Sequence, residues 1–176
     1  MPYVGQTITD VFPTSINVDT ATIATANISN QLTDANMSVG SVIQIIQAST
    51  TTEVASTSSS FVDSGLTAAI TPSSTSSKIF ILYTLHQFIN GTGQTSDVKL
   101  LRGSTTLLTT GYMLHNGGST IIGQGTHHFL DSPSTTSATT YKVQFNSINN
   151  STNVLCNYDD SAGDGSSFIT LMEIAQ

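Results

Sequence analysis

Charge is scarce in this chain. Four lysines and arginines and eleven aspartates and glutamates make up 9% of the 176 residues, where an ordinary soluble domain carries about 25%. Lys78, Lys99, Arg102 and Lys142 are the fixed cations. Four scattered cations cannot track a phosphate backbone, and a net charge of −7 repels one, so nucleic-acid binding is excluded. Serine, threonine and asparagine keep the chain in water instead.

Cysteine is almost absent too. A single Cys156 excludes an intramolecular disulfide and argues against a cysteine-based zinc site. Its setting, Asn153-Val154-Leu155-Cys156-Asn157-Tyr158, reads as a strand with a small buried hydrophobe. No stretch approaches the ~20 consecutive apolar residues of a membrane-spanning helix, so no membrane insertion is expected. Met1-Pro2-Tyr3-Val4-Gly5 lacks the basic region and apolar run of a signal peptide, and the expected site of synthesis is a cytoplasm. Without that secretory route, triplets such as Asn27-Ile28-Ser29 and Asn90-Gly91-Thr92 do not read as glycosylation sites.

Catalytic signatures are missing as well. No Gly-x-Ser-x-Gly elbow occurs, Gly123-Gln124-Gly125 lacks the third glycine of a dinucleotide fingerprint, and most acids sit singly in turns rather than as a glycosidase pair. The expectation is a protein that is not an enzyme and carries no cofactor.

What is present is β-structure. Ser77 to Leu85 alternates so that Ile79, Ile81, Tyr83 and Leu85 share one face and Phe80 and Leu82 the other. Both faces are apolar, so both must be covered. From Gly40 onward the chain reads as nine strands, near 41–48, 60–70, 78–88, 96–102, 105–110, 119–130, 140–148, 153–158 and 167–175. This pattern predicts an all-β fold, an antiparallel β-sandwich of jelly-roll type. Prolines 72 and 133 fit turns, Asn90-Gly91 and Asn116-Gly117-Gly118 supply positive φ, and Arg102-Gly103-Ser104-Thr105 reads as a tight hairpin. The stretches from Ile70 to Ile79 and from Leu130 to Val143 repeat one order: proline turn, polar loop, lysine, core strand. They read either as two equivalent corners at one end of the sandwich or as ordinary turns of a Ser/Thr-rich β-protein. Residues 1–40 differ. Their isolated apolar residues, Ile16, Ile23 and Ile28 among them, are too sparse to close a core; the composition fits a disordered segment, and the expected alternative is an extended arm or short stalk.

Two clusters invite a metal. Counting from Asp160, the run Asp160 to Gly165 has Asp at positions one and five and Gly at six of a calcium loop. Ala162 and Leu171 occupy positions three and twelve, where ligands belong. A solvated acidic turn is the simpler reading, with Asp160 and Asp164 the weak candidates. His127 and His128 face opposite sides of a strand and cannot chelate together within one chain, although one could meet its symmetry mates on an oligomer axis. For ligand binding, the residues taken to lie in loops are His86, Phe88, Asn90, Tyr112, His115, Asn116, Tyr158 and Asp159. Aromatic rings beside amides and carboxylates suit a glycan.

Several motifs together resemble a known family: Gly40-Ser41-Val42-Ile43-Gln44, Phe61 to Leu66, Ile70 to Ile79, Leu100 to Ser104, Leu130-Asp131-Ser132-Pro133 and Ile169 to Ile174. Over residues 40–176 the chain resembles the C-terminal β-domain of short tail-fibre-like or decoration virion proteins of tailed bacteriophages. The resemblance implies a homotrimer on the surface of a phage particle. Its head would attach to a host-surface glycan, and residues 1–40 would bind other virion proteins of tail or capsid. The alternative is a capsid decoration or head-fibre protein whose arm clamps capsid subunits. Phe80 and Leu82, with Ile16, Ile23 and Ile28 of the arm, are the expected subunit contacts, because a sandwich has no third layer to cover the second face of Ser77 to Leu85.

Overall fold

A computed structural model describes residues 38–149, 153–159 and 165–176. The arm, with Ile16, Ile23 and Ile28, and the acidic pair Asp160 and Asp164 lie outside the described residues.

The described residues form ten strands: β1 (Val42–Thr50), β2 (Val54–Ser56), β3 (Val62–Ile70), β4 (Lys78–Asn90), β5 (Gln94–Arg102), β6 (Thr105–Asn116), β7 (Thr120–Asp131), β8 (Thr139–Phe145), β9 (Val154–Cys156) and β10 (Ser167–Ile174). They make two antiparallel sheets packed as a sandwich. The larger runs β1-β10-β4-β9-β2, with β7 on the other flank of β4; the smaller runs β3-β8-β5-β6. The expected antiparallel sandwich is the one observed.

β4 is the spine. One flank pairs with β7 over twelve residues, from Ile79 with Asp131 to Asn90 with Thr120. The other flank is shared, with β10 taking Lys78 to Thr84 and β9 taking Gln87 to Ile89. Ile79, Ile81, Tyr83, Leu85 and Ile89 face the core with Leu66, Leu100, Val143, Phe145, Ile169 and Leu171. Each such side chain contributes roughly 1.5–3 kcal/mol when fully buried. Phe80 and Leu82 lie half-buried on the opposite face, so the facing read from alternation holds.

Register also places the two proline loops. Ile70 pairs with Thr139, and Ile79 with Asp131. The loops 71–77 and 132–138 therefore emerge at one end, the first of the two readings of their repeated order. Gly103 has φ 58° in a two-residue turn closed by Arg102 opposite Thr105, and Ser134 has φ 54° after Pro133. Gly91 takes φ 119° as expected, but Gly117 and Gly118 are not in the left-handed region. Asn116 itself shapes that turn, accepting the Gly118 N–H at 2.9 Å.

Three departures from the expected strands have local causes. β2 is an extra three-residue strand, too short to show alternation. β4 runs two residues past the expected end at 88 because β7 and β9 pair with it there. β6 continues from 110 to Asn116 through a bulge: Val98 pairs with Thr110 and Ser96 with Leu114, so β6 carries two extra residues. Tyr112 takes φ 57° in that bulge, and its N–H is held by Asp97 Oδ1 at 2.8 Å.

Candidate interaction surface

The outward face of the larger sheet carries an unbroken apolar row. Ile45 of β1 pairs with Met172 of β10, Met172 with Phe80 of β4, and Phe80 with Leu130 of β7. Met172 and Phe80, inside the sheet, are half-buried. Ile45 and Leu130, at its two edges, are 58% and 51% exposed. Parallel to this row run Gln47, Thr170, Leu82 and His128, and then Ser49, Phe168, Thr84 and Thr126. His128 stacks on Phe80 with centroids 5.9 Å apart.

A second apolar group lies farther along β4. Phe88 is flanked by Ile122 of β7 and Leu155 of β9, and Tyr158 stacks on Phe88 at 4.4 Å. This gathers two of the ligand candidates, Phe88 and Tyr158. On the smaller sheet Tyr112 and His115 have ring centroids 6.4 Å apart, and Tyr112 is 71% exposed.

The other candidates are arranged differently from the sequence reading. His86, Phe88, Asn90, Tyr112, His115 and Asn116 belong to strands β4 and β6 rather than loops: His86 and Phe88 fall within the expected strand 78–88, and the other four are taken in because both strands extend beyond their expected ends. Tyr158 and Asp159 do lie in a loop. His86 and Asn116 are buried, the latter donating from Nδ2 to Ile89 O at 3.2 Å. Asn90, His115 and Asp159 are exposed.

Adjacent histidines do face opposite ways. His127 turns inward, with Nε2 3.1 Å from Met113 Sδ, while His128 is exposed. Burial, with the neighbouring His128 adding to it, holds the His127 pKa below the ordinary value. No group of three metal-ligating side chains occurs among the described residues. Gly165 has a packing role of its own, since a Cβ there would overlap the Tyr158 carbonyl. Gly125 does likewise on β7: a Cβ would run into the end of the Met113 side chain. Gly123-Gln124-Gly125 is thus a pair of inward glycines that admit Leu114 and Met113 from β6.

Sequence reasoning missed the polar ties at the end where the proline loops emerge. Glu173 is fully buried and its Oε1 accepts Ser73 N–H at 2.6 Å, Ser73 Oγ at 2.7 Å and Ser77 Oγ at 2.7 Å, while Gln44 Nε2 donates to Oε2. Burial pushes its pKa up, but the hydrogen bonds from Gln44, Ser73 and Ser77 outweigh it and hold the carboxyl below the usual value. Beside it, Asp131 takes both oxygens onto Arg102 Nη1 at 3.0 and 2.8 Å and accepts the Tyr141 hydroxyl. The only hint in sequence is one acid placed amid each apolar strand end.

The fold and surface define an all-β sandwich with an apolar outer sheet face. No family model matches the chain, and no curated protein matches it. Among solved structures it is similar to infectious bursal disease virus VP2 in a subviral particle, at TM-score 0.41 and 12% identity over 76% of this chain and 38% of that one. It is similar also to the Gx strain of that virus, at TM-score 0.41 and 9% identity over 75% and 36%. The chain spans less than two-fifths of the length of either.

Proposed function

We propose that this chain is a trimeric structural protein of a virus particle, a tail-fibre-like or spike-like head that attaches to a host-surface glycan. The observation that carries this reading is the polarity of the sandwich. Gly40 N–H donates to Ala175 O, and Ala175 N–H to Ser41 O, so Ser38 lies at the end where the proline loops emerge. Phe88, Asn90, His115 and Tyr158 lie toward the other end. β4 has 13 residues, which at ~3.3 Å per residue separates the two ends by about 40 Å. An arm anchored in the particle would leave these aromatic and polar side chains pointing away from it. The outer apolar row, with Phe80 and Leu82, is the surface available to neighbouring copies.

Imaging the intact particle with this subunit identified tests the role. Density at a tail tip supports it; density on icosahedral or quasi-three-fold positions overturns the fibre reading in favour of capsid decoration. Light scattering on the eluting protein should return three times the 18.5 kDa chain, and a monomer at micromolar concentration would refute the trimer.

A further inference from the structure

The edge strands of the sandwich, β3 and β6 of the smaller sheet and β1, β7 and the three-residue β2 of the larger, are not alike. Both edges of the smaller sheet are broken by bulges: β3 between Asp63 and Thr67, and β6 at two places, one of them the bulge that holds Tyr112. Bulges of this kind twist an edge away from further pairing. The larger sheet differs. β7 pairs with β4 over twelve residues without a register shift, and β1 has its one shift at its start, between Val42 and Gln44, and is regular from Gln44 to Thr50. Among the described residues neither has a strand on its outer flank.

Nor does charge blunt these two edges. β1 contains no charged residue, and the one in β7, Asp131, is paired with Arg102 at 2.8 Å. Natural edge strands are commonly protected by lysine, proline or a bulge, and β7 has none of the three. In a chain of net charge −7, uncharged edges are also where two copies approach without mutual repulsion.

From this we infer that β7 of one copy pairs with β1 of the next, continuing the larger sheet head to tail around a closed ring. Direction allows it. Successive strands β1, β10, β4 and β7 are all antiparallel, so β1 and β7 run in opposite senses. A rotation about an axis along the strands brings a neighbour's β1 alongside β7 in the antiparallel sense used throughout the sheet. Exposure points the same way. The apolar row is barest at its two ends, Ile45 and Leu130, where the next strand would lie. Pairing β7 with itself across a two-fold axis would cover Leu130 and leave Ile45 bare, whereas head-to-tail pairing covers both. The number of copies in the ring rests on the trimer proposed above; the pairing of the edges does not.

Complementation of edge variants in the full chain tests this. Ile45→Lys spoils the β1 edge and Leu130→Lys the β7 edge; Ser49→Lys and Thr126→Lys, at exposed ends of a neighbouring row, serve if either of the first pair fails to fold. Each variant alone should run as a monomer by light scattering, with a circular dichroism spectrum like the parent's. An equal mixture should give a heterodimer of twice the chain mass, because each partner supplies the intact edge the other lacks. A parent trimer whose variants stay trimeric, or whose mixture stays monomeric, overturns the edge pairing and leaves the trimer standing. A parent ring of another size with successful complementation keeps the pairing and refutes the trimer. A monomeric parent refutes both.

Discussion

Tyr141 of the smaller sheet donates its hydroxyl to Asp131 of the larger at 2.7 Å, a buried bond that joins the two layers where Arg102 also grips the carboxylate. Tyr83, equally buried, has no partner for its hydroxyl among the described residues, and burial pushes its pKa up to about 12. The two tyrosines should therefore respond oppositely to loss of the oxygen. Tyr141→Phe removes a bond to a charged group and should cost about 1.5–3 kcal/mol, whereas Tyr83→Phe should be neutral or stabilising. Urea unfolding of both variants decides it, and equal losses would show that the bond does not matter.

Glu173 makes a pH prediction. Its carboxyl is held below the usual glutamate value, so it contributes stability that is fully present above the unfolded pKa of about 4.3 and is lost as the pH falls through the lower folded value. Melting temperatures should hold from pH 7 to 5 and drop below that. Glu173→Gln should flatten part of the acid slope and lower stability at pH 7 by about 1–3 kcal/mol, since the loop donors Ser73 and Ser77 then face a weaker acceptor. An unchanged acid slope would remove Glu173 as its source.

Cys156 should be inert. It is fully buried, Gln87 Nε2 lies 3.5 Å from its sulfur, and burial pushes the thiol pKa well up. The native protein should leave Ellman's reagent unreacted for hours at pH 8 and release one thiol per chain in guanidinium. Rapid native labelling would contradict the burial.

Gly125 and Met113 should behave as a coupled pair. Gly125→Ala forces Met113 to move, at a cost of about 1–3 kcal/mol. Trimming the partner makes room, so the double variant with Met113→Ala should lose less than the two single losses combined, read from denaturant midpoints. Strict additivity would mean the two side chains do not meet.

Much of this architecture was legible in sequence because alternation within a strand is a local signal. Ser77 to Leu85 announced both its core face and its outer face, while the repeated proline loops left two readings open, of which register selects the shared end. Bulges are not local in that way. The two extra residues near Tyr112 shift which side chains of β6 face inward, and only the partner β5 reveals it. The apolar row likewise depends on the register of four strands drawn from positions 45, 80, 130 and 172, which no window along the chain contains. His86 and Asn116 read as loop residues, yet β4 runs on past His86 and β6 reaches Asn116, both side chains are buried, and Asn116 bonds the Ile89 backbone. The arm and the Asp160 and Asp164 turn lie outside the described residues.

The paired bonds Gly40 to Ala175 and Ala175 to Ser41 bring the two ends of the sandwich chain side by side. Anything joined after Gln176 would therefore depart from the corner where Ser38 lies. A cargo fused there would sit beside Ser38 and spare the opposite tip. Conversely, linking residue 176 to residue 38 would need only a few residues of linker, so the strand order could be cut open at the 132–138 loop and rejoined without moving a single pair in either sheet.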